Sequence, residues 1–268
     1  MTITLAFLTI AFYCAATMLL LRRLALGAAA GARSRLPALL SGLAGVALHG
    51  LLVYQAIFQP LGLDLEFFHV LSLIAWLVAL LLLLAALTQP VENLGVAVLP
   101  LSALALVLQI VWPATPNVLA LASAEIQGHI LLSILAYSLL ALAAVQAMLL
   151  AIQDRHLRNR HPGGFIRALP PLETMERMLF HMIALGFVLL SLSLLSGALY
   201  LENMFAQHLV HKTVLSVIAW VVFAVLLWGR WRFGWRGRKA ITWTLAGFVL
   251  LMTAYLGSKL VLELILHR

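Results

Sequence analysis

The sequence predicts an all-α protein, a polytopic membrane bundle of about eight transmembrane helices, and three observations predict it. The first is composition. Of 268 residues, 64% are hydrophobic and only 10% charged, with a mean hydropathy of +1.09. Soluble domains run at about 45–50% apolar and about 25% charged, so a water-soluble fold of this length has no core large enough for these side chains. The second is run length. Apolar stretches that match the roughly 20 residues needed to cross a bilayer recur along the whole chain. The third is charge placement: fourteen of the seventeen Lys and Arg fall in three alternate connections between those stretches.

Helices are expected near 3–21, 36–58, 67–88, 93–113, 125–152, 177–200, 211–229 and 240–263, forming one integral membrane domain over 1–268. The first run carries Arg22 and Arg23 after it rather than before it. It is therefore expected to be a retained helix with its N-terminus outside, not a cleaved signal. The second run follows Arg33 and Arg35 and ends at Gln59-Pro60-Leu61-Gly62. The third ends at Gln89-Pro90 and the fourth at Pro113-Ala114-Thr115-Pro116. The fifth precedes the one long polar stretch, 153–176, which contains Pro162, Gly163 and Gly164. No soluble domain and no fixed-period repeat is visible.

Orientation follows from the basic residues. Arg22, Arg23, Arg33 and Arg35 follow the first helix, and Arg155, Arg158, Arg160, Arg167 and Arg177 follow the fifth. Arg230, Arg232, Arg236, Arg238 and Lys239 follow the seventh. Eight spans with both termini outside, on the periplasmic side of a bacterial inner membrane, satisfy this bias. The formal charge of +8 is thus topogenic and implies no nucleic-acid partner. Trp112, Trp228, Trp231 and Trp235 fall where helices should meet the membrane surface, as an interfacial belt does. The single cysteine, Cys14, excludes an internal disulfide and a thiol redox pair. No P-loop, dinucleotide fingerprint, nucleophile elbow or zincin motif is present, and the chain is expected not to be an enzyme. Neither an inverted repeat nor a helix broken at mid-membrane, both common in transporters, is visible.

Ionisable residues inside spans are costly and are functional candidates by default. Here they are mostly histidines. His129 opens the fifth helix, with Ser133 and Tyr137 at i+4 and i+8 on the same face. His69, His208, His211 and His267 are also expected near the outer side, whereas His49 is well inside the second helix and His181 near the inner start of the sixth. His156 and His161 read as solvated loop residues. Neutral imidazole is the commonest metal ligand and a usual axial ligand of haem iron. A haem slot also needs cations for the propionates, for which Lys212 and Lys259 are candidates.

Three stretches resemble the CcsA-type cytochrome c assembly and haem-handling family, most closely its small eight-helix branch of YpjD- and HemX-like inner-membrane proteins. They are Gly128-His129 through Ala136-Tyr137; Pro170-Pro171-Leu172-Glu173 through Phe180-His181, Gly186-Phe187 and Leu195-Ser196-Gly197; and His211-Lys212-Thr213 through Trp220, Gly234-Trp235-Arg236-Gly237-Arg238 and Ala254-Tyr255-Leu256-Gly257-Ser258-Lys259. Together they span about 128–260. The resemblance implies a b-type haem held between helices in service of haem handling or cytochrome c assembly, with His129 at the place of an outward-facing haem ligand. His129, His181 and His49 are the candidate iron ligands, and His211, Lys212 and Tyr137 the further candidates around the cofactor. Two departures stand out. The tryptophan-rich segment of full-length assembly proteins is replaced by Leu201 to Val210, which has no tryptophan, and Trp228 stands where the family has an inner-leaflet histidine. The expected partners are membrane lipid and a membrane-protein or cytochrome assembly component. The alternative is a non-haem regulatory or scaffold subunit of another membrane complex.

Overall fold

The computed structural model describes residues 2–26, 35–60, 62–112, 118–120, 124–159, 169–200 and 210–257. Its helices are α1 (Thr2–Leu26), α2 (Arg35–Ile57), α3 (Phe67–Thr88), α4 (Gly95–Val111), α5 (Ala124–Arg158), α6 (Leu172–Tyr200), α7 (Val210–Phe233) and α8 (Arg238–Met252). The chain is an all-α polytopic membrane bundle. Among the described residues, seven helices are long and apolar enough to cross a membrane. The eighth, α8, has 15 α-helical residues and runs on into a π-helical turn, Thr253–Gly257. The remainder of the expected span, to 263, lies outside the described residues.

The helices group into two compact units, 1–121 with 155–171, and 122–154 with 172–268. In the first, α1 packs on α2 and α4, and α3 closes the ring against the same two helices. Small residues let the backbones approach, as in other membrane bundles. A Cβ at Gly45 would stand 2.8 Å from the Tyr13 ring, and Tyr13 itself is wholly buried. A three-stranded antiparallel sheet lies on this unit: β1 (Phe58–Gln59), β2 (Gly62–Asp64) and β3 (Val118–Ala120), with Leu63 opposite both Phe58 and Leu119. Sequence reading missed it because strands this short have no alternation to detect. Asp64 ends β2, and Glu66, two residues on, caps α3 by accepting from the Phe68 and His69 amides at 3.0 and 3.1 Å.

In the second unit α6 packs on α7 and α7 on α8. The contacts run antiparallel: Trp220 Nε1 donates to Ser191 Oγ at 2.8 Å, and Arg230 sits 4.7 Å from the Phe180 ring centre. α5 has 35 residues, about 52 Å of helix, well beyond a bilayer's hydrocarbon core. It continues to Arg158 where 152 was expected, and α6 begins at Leu172 rather than 177. Charged residues mark where a span leaves lipid, not where a helix ends. α5 carries its bases in its last turn and α6 its Glu173 in its first, as the helix dipole favours. α7 likewise runs to Phe233 and stops at Gly234, whose φ of +63° suits glycine. The Trp235 amide closes the cap onto the Gly229 carbonyl at 3.2 Å.

Candidate functional site

Two polar centres sit inside the helices, one in each unit. In the first, His49 of α2 is fully buried. Its Nδ1 lies 3.0 Å from the Tyr13 hydroxyl on α1, and its Nε2 lies 2.9 Å from Ser72 Oγ on α3. Both ring nitrogens are therefore occupied. Whichever nitrogen carries the proton, hydroxyls can complement the ring, since they both donate and accept. Ligation of a metal at either nitrogen requires Tyr13 or Ser72 to move aside.

The second centre is built around His129, in the first turns of α5. Its Nδ1 is 3.1 Å from the Ser193 carbonyl and 3.0 Å from Ser196 Oγ, both on α6. A carbonyl can only accept, and Ser196 Oγ itself donates to that same carbonyl at 2.9 Å. Nδ1 therefore carries the proton, and Nε2 presents its lone pair with no hydrogen-bond partner among the described residues. A backbone carbonyl on one ring nitrogen is the arrangement that fixes a metal-ligating histidine. The centre thus fits an axial imidazole. Ser133, one turn further along α5, donates to the His129 carbonyl at 2.7 Å and meets Ser193 Oγ at 2.7 Å. Two turns along, the buried Tyr137 packs at 5.6 Å from Phe248 and 6.2 Å from Tyr255 between ring centres. Tyr255 belongs to the π-helical turn, a feature often found at functional sites.

The other candidates are distributed as follows. His181 lies on an exposed part of α6, twelve residues before Ser193 and so about 18 Å lower along that helix. His129 and His181 are therefore not brought together on one iron. His211 and Lys212 begin α7, whose N-terminal end meets the end of α6 that carries Ser193; the His211 side chain lies outside the described residues. His69 sits in the first unit with Nδ1 at 3.3 Å from Asp64. His161, His208, His267, Lys259 and the segment 201–209 lie outside the described residues. Among the described residues no three His, Cys, Asp or Glu side chains cluster as a metal site. The sequence reading singled out Ser133 but missed Tyr13 and Ser72 as partners of His49 and Ser193 as a partner of His129. The spacing of Ser193 and Ser196 by three, one helical turn, is the one signal that exposes the latter.

A family model described as cytochrome C assembly protein matches residues 38–266. It reaches back well before the 128–260 stretch that carries the motifs. Among curated proteins, the chain is similar to the inner membrane protein YpjD of Escherichia coli strain K12, at 44% identity over 137 residues, 51% of this chain and 52% of that one. An uncharacterized 28.8 kDa protein of Azospirillum brasilense is 37% identical over 140 residues, 52% of each chain. The cytochrome c biogenesis protein CcsA of Chlamydomonas reinhardtii is 29% identical over 154 residues, 56% of this chain and 42% of that one. The chain thus spans about half the length of the curated relatives it matches. No solved structure matches it.

Proposed function

The chain belongs to the cytochrome c assembly protein family, and from that premise we propose that it is an accessory haem-handling protein of cytochrome c biogenesis, multi-pass in the inner membrane and without catalytic turnover. The carrying observation is the His129 centre. Its Nδ1 proton is committed to the Ser193 carbonyl, which leaves Nε2 as the basic nitrogen. A b-type haem held there by His129 would supply the redox chemistry of its iron.

The chain's own residues divide the work. Ser193 and Ser196 hold the imidazole in one tautomer and one orientation. Ser133 ties α5 to α6 directly beneath it. Tyr137 and the aromatic side chains around it supply a flat apolar wall. Lys212, at the start of α7, would be the cation for a propionate, with His211 next to it in sequence a further candidate around the cofactor. His181, about 18 Å lower along α6, does not share this centre.

The test is the absorption spectrum of the detergent-purified protein from haem-replete cells. A Soret band that is lost in His129→Ala supports the reading. A colourless protein that also fails to take up added haem refutes it and favours a non-haem subunit of a membrane complex, the reading to which the saturated His49 centre lends most weight.

A further inference from the structure

The end of the first unit opposite its sheet carries a guanidinium with nothing to hold. Arg35, the first residue of α2, has Nε and Nη2 both buried and both without a hydrogen-bond partner. These two nitrogens form one edge of the guanidinium, the edge that grips a carboxylate or phosphate through two parallel hydrogen bonds. Removing a cation's donors from water without replacing the lost bonds is strongly unfavourable. The edge therefore implies an oxyanion ligand.

The surroundings narrow its identity. α1 and α2 run antiparallel, with Ser41 Oγ on the Phe12 carbonyl at 2.9 Å, so the far end of α1 lies at the same level as Arg35. That end brings Arg22 and Arg23. Arg23 is bound to Glu92 at 2.5 Å, while Arg22 is exposed and has no ion-pair partner among the described residues. Among the described residues, three guanidiniums against one carboxylate leave this corner at +2. Arg35 also stands at the first residue of a candidate span, Arg35–Ile57, at the depth where a bilayer presents its headgroups. Basic pockets between transmembrane helices are the recognised docking places of anionic headgroups.

We propose that Arg35 is a binding residue for the phosphodiester of an anionic phospholipid, held bidentately between the ends of α1 and α2. This site is distinct from the His49 centre, fourteen residues and about 21 Å further along α2, and the reading of His129 stands or falls independently of it. The lipid fastens the ends of α1 and α2 to one leaflet. Counting Arg35 only as a topogenic charge overlooks that its edge is buried.

Native mass spectrometry of the full-length protein, released from nanodiscs containing equal amounts of phosphatidylglycerol and phosphatidylcholine, tests this. The wild-type protein should retain one phosphatidylglycerol roughly tenfold more often than one phosphatidylcholine, and Arg35→Gln and Arg35→Lys should each bring the ratio near parity. Arg35→Lys separates the fork from the charge. If it keeps the wild-type ratio, or if the wild-type protein shows no preference, the proposal is overturned. The wild-type comparison needs no variant to fold. Inorganic phosphate added before release should leave the lipid in place. Displacement by it would mean a soluble phosphate site and would overturn the lipid assignment.

Discussion

His49 and His129 are both hydrogen-bonded histidines within helices, yet the two environments prepare them for different work. His49 is enclosed between a tyrosine and a serine that use both of its nitrogens. His129 is held by one nitrogen against a backbone carbonyl, and the other is left to act. Sequence alone ranked them together, because it gives the depth of a residue in a span but not the partners on neighbouring helices. Those partners are serines and a tyrosine, common in apolar helices and unremarked in the pattern. Two expectations belong here. Tyr13→Phe removes one bond from a buried ring and should destabilise the first unit by about 1 kcal/mol in reversible unfolding from mixed micelles. The haem spectrum should survive that change. Ser196→Ala leaves the Ser193 carbonyl in place, so affinity for added haem should fall by less than about tenfold, whereas the loss of second-shell contacts outright costs 10- to 100-fold.

At the level of elements, the positions of all eight helices were legible in the apolar runs, and their ends were not. α5 and α6 overrun their expected bounds because the charged segments Gln153 to Arg158 and Leu172 to Glu176 are built largely of good helix formers, among them Gln153, Arg155, Leu157, Arg158, Leu172, Glu173, Met175 and Glu176. The small sheet was invisible for lack of length. The joint between α1 and α4 was equally hidden: Arg23 and Glu92 are far apart in sequence and meet at the start of α4. Glu92 is buried there, and a buried charge left without its partner is expensive. Arg23→Ala should therefore cost about 3 kcal/mol in the same unfolding assay. Arg22→Ala, on an exposed neighbour, should stay within about 0.5 kcal/mol.

For the whole molecule, composition and charge placement carried most of the account. The hydropathy demanded a bilayer, and the three basic connections predict an orientation, still an expectation, in which the His129 end of the helices faces outward. That orientation is testable with single cysteines in a Cys14→Ser background. A cysteine at Gln59, exposed in β1, should react with an impermeant maleimide on intact cells, and one at Asn159 should react only after permeabilisation. The reverse pattern would place the His129 end of the helices on the cytoplasmic side and overturn the expected orientation.

The central claim is that the His129 imidazole is an iron ligand. The spectrum of His129→Gly, purified with and without imidazole in the buffer, tests it most directly. The glycine variant deletes the ring and leaves the Ser193 carbonyl and Ser196 hydroxyl that orient it. The account predicts that the Soret band disappears and that free imidazole, docked on the same carbonyl, restores it. A band that persists unchanged in the variant without imidazole would contradict the claim.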